Sequence, residues 1–207
     1  MSLEHWLAFA LASSILVAIP GPTVLLVISY ALSHGRKSAA ATVAGVALGD
    51  FTSMTASMLG LGAFLATSAT LFTALKLIGA AYLVYMGFKL WRAPVALPGV
   101  IEPAETDPRR IFAHAYVVTA LNPKGIVFFI AFLPQFFVTG RPVLPQMIIF
   151  EATFLVLATL NAMIYGLVAT AARRTIRKPR VQRAVNRVGG SFLIGAGLLA
   201  ATWRRAS

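Results

Sequence analysis

Asp50, Lys124 and Glu151 are ionisable side chains in places where an ionised group is costly. Each lies inside a run of apolar residues rather than at its rim. By helical rise, Asp50 stands about 17 Å into its run, Lys124 about 18 Å and Glu151 about 10 Å. A charge at bilayer depth costs roughly 3 kcal/mol or more. Each group must therefore be protonated, paired or hydrated. A structural ion pair is the plain explanation. The chemical one gives Asp50 and Glu151 either of two tasks. They could hold a substrate ammonium, or take up a proton whose release is coupled to transport. The residues leave both open.

The same apolar runs contain two interruptions. The first is Ala18-Ile19-Pro20-Gly21-Pro22-Thr23, where two prolines around a glycine remove two backbone donors and add a residue with little conformational preference. The second is Leu121-Asn122-Pro123-Lys124-Gly125, where Asn122 can bond locally to backbone that the proline has loosened. Broken backbone at membrane depth persists only where protein or a polar cavity satisfies the freed groups. A fresh half-helix begins after each break, and its free amides suit a carboxylate. Pro20, Gly21, Pro22, Asn122, Pro123 and Lys124 are thus the candidate substrate-binding residues, with Asp50 and Glu151 for ammonium binding or ion coupling.

The elements that must position these residues follow from composition. Only 12% of the 207 residues are charged, against about 25% in soluble domains, and six apolar stretches stand out. They cover roughly 6–32, 39–66, 71–91, 112–137, 144–170 and 187–203. At 1.5 Å per residue each can cross a hydrocarbon core about 30 Å thick, the last one barely. The net charge of +12 could suggest nucleic acid, but the basic residues cluster in short links between apolar runs, which excludes it. Placing the first, third and fifth links on one side puts 13 basic residues there (Arg36, Lys37, Lys89, Arg92, Arg109, Arg110 and the Arg173–Arg187 group) and 3 on the other (Arg141, Arg204, Arg205). The basic side is cytoplasmic by that asymmetry. Both termini are then expected outside, with Trp6 and Trp203 at the outer interface.

Lys76 reads as a snorkelling anchor. The chain has no cysteine, which excludes thiol chemistry, and His5, His34 and His114 are too scattered for a metal site. No metal or cofactor is expected. The basic link from Arg173 to Arg187 also suits anionic lipid headgroups. Met1 to His5 offers no Lys or Arg, so no cleavable signal is expected.

Pro22 and Pro123 are 101 residues apart, as are Asp50 and Glu151. Gly79, Tyr82, Leu83 and Gly87 match Gly189, Phe192, Leu193 and Gly197 at a spacing of 110. Three helices per copy is an odd number, so the second copy must enter from the opposite face. The expected fold is an all-α integral membrane protein. It has six transmembrane helices in two inverted three-helix repeats, with the first and fourth helices broken at prolines. Repeat one covers about 1–92, a cytoplasmic linker about 93–110 and repeat two about 111–207, in one transmembrane domain. Gly45, Gly49, Gly79, Gly87, Gly189 and Gly197 are the expected close-packing positions.

At these landmarks the chain resembles the LysE/RhtB-type amino-acid exporters. The resemblance rests on Pro20-Gly21-Pro22, Gly45-x-x-x-Gly49-Asp50, and Lys76-x-x-Gly79-x-x-Tyr82-Leu83-x-x-x-Gly87. It continues through Asn122-Pro123-Lys124, Phe132-Leu133-Pro134-Gln135-Phe136 and the glycine-rich last stretch. It implies a bacterial inner-membrane exporter of amino acids or close derivatives, driven by the proton gradient, forming a homodimer, and not an enzyme. Which amino acid is carried does not follow. A membrane-embedded enzyme would need a nucleophile with a base at depth, and Ser13 and Ser14 have no histidine in their run. A non-transporting scaffold has no use for buried Asp50, Lys124 and Glu151.

Overall fold

Helices follow the apolar runs and stop where backbone donors run out. The computed structural model describes residues 2–34, 38–67, 69–93, 106–138, 140–171 and 179–202. Among them, every regular element is helical. Helix α1 (Leu3–Ala18) ends ahead of Pro20, and α2 (Pro22–His34) starts on the second proline. A missing amide does no harm there, because the first amides of a helix have no partner within it. The α1 and α2 axes differ by 53°. Helices α3 (Ala39–Thr67) and α4 (Ala69–Trp91) complete the first half.

The second half repeats the device. Helix α5 (Pro108–Ala120) starts behind Asp107, whose carboxylate accepts from the Arg109 amide at 3.0 Å. Helix α6 (Pro123–Ala131) starts behind Asn122 and runs into a 3-10 turn at Leu133–Phe136, with a bend of 40° relative to α5. Helices α7 (Val143–Ala171) and α8 (Pro179–Thr202) follow. The stretch Val143–Ala169 is apolar and, at 27 residues, long enough by itself to cross a bilayer. Among the described residues the α1–α2 and α5–α6 pairs reach that length only when each pair is taken together.

One boundary differs from the sequence expectation. Helix α8 begins at Pro179, not at 187, and carries exposed Arg180, Arg183 and Arg187 on its first turns. Proline suits the first helical position and arginine is a good helix former, so the helix outruns its apolar part. The remaining residues of the basic clusters (Arg36, Lys37, Arg173, Arg174, Arg177, Lys178, Arg204, Arg205), Trp203 and the side chain of Lys76 lie outside the described residues.

The halves pack chiefly on each other, α3 against α5 and α4 against α8. Both contacts are close enough to exclude side chains. A Cβ on Gly45 would stand 2.5 Å from the Phe112 carbonyl oxygen, and one on Gly49 would stand 2.7 Å from Thr119 Cβ. Between α4 and α8, a Cβ on Gly87 would stand 2.6 Å from the Gly190 oxygen, and one on Gly190 equally close to the Gly87 oxygen. Gly197 faces the Ala80 oxygen at 2.6 Å, Gly79 faces Ala131 at 2.7 Å and Gly189 faces Ile19 at 2.9 Å on the same construction. Two apolar clusters fill the interior. The larger holds Phe9, Phe128, Phe129, Phe132, Phe150 and Phe154, with edge-on pairs such as Phe129–Phe154 at 4.8 Å. The smaller holds Val27, Val46, Ala115 and Ala162.

Gly87→Val should therefore force α4 off α8 and lower the melting temperature of the purified protein by roughly 5 °C or more. Gly195→Ala, whose new methyl meets nothing within 4 Å, should leave it within about 2 °C.

Candidate functional site

Ending a helix inside an apolar interior strands its last carbonyls, and the end of α1 shows how they are satisfied. Lys124 Nζ, from α6, donates to the Leu16 oxygen at 3.0 Å and the Ile19 oxygen at 2.8 Å. Asn161 Nδ2, from α7, donates to the Val17 oxygen at 2.9 Å. One turn further along α7, the Tyr165 hydroxyl donates to the Ala18 oxygen at 2.7 Å. Four consecutive carbonyls of the first half are thus held by three side chains of the second. Lys124 is buried, and its ammonium lies against the negative pole of α1.

The second break is held differently. Backbone bonds from the Leu121 and Asn122 amides return to α5, and Asn122 Oδ1 accepts from the Lys124 amide at 3.1 Å. Asn122 Nδ2 then donates to Thr23 Oγ1 at 3.1 Å, and the Thr119 hydroxyl bonds the same oxygen at 3.3 Å. The two breaks therefore touch. Asn122 caps α6, whereas Gly21, the residue before α2, has no side chain with which to cap.

Between the breaks lies a cavity of about 40 Å3. Thr23 and Val24 of α2, Asp50 of α3, Asn122 and Lys124 at the second break, and Asn161 of α7 line it. Among the described residues no hydrogen bond satisfies the Asp50 carboxyl. The space is enough for about one water, whose share of the liquid is roughly 30 Å3. The cavity also has members of both apolar clusters in its wall: Leu16 and Phe154 from the larger, Val27, Val46 and Ala162 from the smaller. A second cleft, about 370 Å3, lies between α2, α3 and α7 and runs from Ser38 to Val27 and Ala162. Those last two residues belong to both walls.

The structure brings Asp50, Lys124, Asn122 and the backbone at Gly21 together. Pro20 is half-buried at the first break, and Pro22 and Pro123 are exposed at the helix starts. Glu151 is elsewhere. Its carboxylate accepts from the Thr55 hydroxyl, and it does not line the cavity. Thr55 is five residues beyond Asp50, about 7.5 Å along α3. Thr153 accepts from Trp6 Nε1 at 2.9 Å, and His114 Nδ1 bonds the Tyr30 hydroxyl at 2.9 Å, so both tie helices together. The role of Tyr165 was hidden in the sequence. Its one signal is the spacing to Asn161, four residues, which places both on one face of α7.

Asn161→Leu should leave the Val17 carbonyl without a donor and lower the melting temperature by roughly 2–8 °C. Thr52→Val, which removes a hydroxyl bonded only to its own helix at Leu48, should stay within about 2 °C of the parent.

Comparison with known proteins finds relatives over nearly the whole chain. The family description "LysE type translocator" matches residues 14–203. A homoserine/homoserine lactone efflux protein of Salmonella typhi is 34% identical over 207 residues, all of both chains. An uncharacterized membrane protein of Vibrio cholerae is 33% identical over 205 residues, 98% of each chain. An uncharacterized membrane protein of Bacillus subtilis, YrhP, is 27% identical over 201 residues, 93% of this chain and 96% of its own. No solved structure matches. A match across nearly the whole chain, with a full-length efflux relative, decides the matter: this chain belongs to the LysE type translocator family.

Proposed function

We propose that this translocator exports amino acids or close derivatives across the bacterial inner membrane, driven by the proton gradient. The reading takes α1–α2, α3 and α4 as three spans, and α5–α6, α7 and α8 as three more in inverted order, with both termini outside. The observation that carries it is the cavity at the meeting of the two breaks, where a carboxyl, an ammonium and an uncapped helix start face one space. A zwitterion matches that set. Its carboxylate suits the first amides of α2, where Gly21 provides no cap and Thr23 and Val24 line the cavity. An ammonium has three donors, so Lys124 keeps one beyond its two carbonyl bonds. Asp50 accepts the cargo's ammonium, or a proton when the cargo is absent. Glu151, out of reach of the cavity, serves as a second carboxyl along α3 rather than as part of the binding site.

At about 40 Å3 the cavity is smaller than an amino acid, so it has to widen during transport. Val27 and Ala162 line both the cavity and the 370 Å3 cleft, while Phe154 of the aromatic cluster lines the cavity alone. The cleft reaches Ser38, beside the first basic link, which suits cytoplasmic loading. The Salmonella relative's name makes homoserine and its lactone the first cargoes to try.

Cells loaded with labelled amino acids, homoserine among them, should lose label faster when the protein is expressed. A protonophore should remove that gain. Asp50→Asn should cut export roughly tenfold or more while the membrane holds as much protein as before. Unchanged export by Asp50→Asn would take the cavity out of the mechanism, and no export of any panel member would refute the assignment.

A further inference from the structure

The ammonium of Lys124 occupies a place built like a site for a free cation. Where a membrane helix is interrupted, the carbonyls at the end of a half-helix commonly coordinate Na+. Leu16 and Ile19 present two such oxygens, 3.0 and 2.8 Å from Nζ, and Asp50 adds a carboxyl in the same cavity. The arrangement needs an empty position at residue 21. A Cβ on Gly21 would stand 3.3 Å from both Cε and Nζ of Lys124, tight enough to press the ammonium away.

Neutral donors could have satisfied these carbonyls. Asn161 and Tyr165 do so for the two between, Val17 and Ala18. Burying an ammonium is expensive unless its charge is used. A helix end of negative polarity and a carboxyl that no hydrogen bond satisfies among the described residues share its cavity. We propose that Leu16 O and Ile19 O form a monovalent-cation site, with the Asp50 carboxyl in the same cavity as its counter-charge rather than as a ligand, and that Lys124 is its tethered, permanent occupant. The lysine takes the part that Na+ plays in transporters with an open site. It fastens α1 to α6 without any ion from solution. Lys124 is then a positioning residue, and its grip on α1 is separate from any contact with cargo. The proposal rests on the reading of this cavity as the transport site, but its test does not require cargo.

The test is thermal unfolding of the full-length protein in detergent, with choline chloride compared at equal ionic strength with NaCl, KCl and ethylammonium chloride. Lys124→Ala should melt roughly 5–10 °C below the parent in choline. Na+, K+ or ethylammonium should recover at least half of that loss, because the vacated site can then take a free cation. The parent should not respond. Lys124→Met, which refills the space with an uncharged chain, should be destabilised and stay so in every salt. Adding Asp50→Asn to Lys124→Ala should abolish the recovery. A Lys124→Ala protein that no cation stabilises beyond choline overturns the proposal, as does recovery that survives loss of Asp50. Should the alanine variant fail to accumulate, the parent decides. In vesicles, parent export should keep its rate when Na+ and K+ are both replaced by choline, and a requirement for either ion overturns the tethered occupant. Absence of any export in those vesicles counts against the exporter assignment, and the parent's melting temperature then decides: a rise in NaCl or KCl over choline overturns the tethered occupant.

Discussion

A helix that stops inside an apolar interior leaves carbonyls that water cannot reach, and each one without a donor costs several kcal/mol. This constraint governs the first break. Pro20 and Pro22 remove the amides that would have continued the ladder to Leu16 and Ala18, so donors have to come from elsewhere in the chain. They come from Lys124, Asn161 and Tyr165, all in the second half. The break is therefore also a joint. Its hydrogen bonds exist only when α6 and α7 stand beside α1, and any movement that parts the halves has to replace those donors.

Close backbone approach makes the joint possible. Lipid tails are as apolar as the helices, so association within a bilayer relies on packing and hydrogen bonds rather than on exclusion of water. Glycines at the α3–α5 and α4–α8 contacts let backbones meet where any Cβ would collide. Those contacts cross between the halves, as the capping bonds do. The interior that results is unequal. Phe154, packed in the aromatic cluster, lines the cavity together with Val27, Val46 and Ala162, which add little bulk. Side chains of that size can move aside with small helix shifts, whereas interlocked rings need a larger rearrangement.

Much of this was legible in the sequence, because the strongest signals were violations of membrane composition. Prolines within apolar runs located the helix ends near Ala18 and Ala120, and a lysine and an aspartate at depth located the cavity. The company each kept was less legible. Glu151 matches Asp50 in sequence spacing, yet it lies nearer the end of its own helix and meets Thr55 instead of the cavity. Equal spacing along a chain does not fix equal depth across a packed interface. Tyr165 was hidden for a related reason. Polar residues on a membrane helix announce that they need a partner, but a carbonyl on a distant helix carries no mark of its own in the sequence. The early start of α8 at Pro179 was obscured by arginines, which end an apolar run without ending a helix.

The two breaks are alike in outline and opposite in chemistry. A spacing of 101 residues sets Gly21 against Asn122 and Thr23 against Lys124, just as it sets Pro22 against Pro123. In the second half, Asn122 caps its own helix, and its amide group reaches Thr23. In the first half the matching residue is a glycine, so α2 starts uncapped and the space beside it is free for the lysine chain. One break is thus closed on itself, while the other is open at the start of α2 and held at the end of α1 by its counterpart's lysine. Glycine in place of asparagine at one of two matched positions leaves room for the lysine chain, and lysine in place of threonine at the other supplies the charge that meets the α1 carbonyls. The candidate site lies where the two matched segments differ rather than where they are alike.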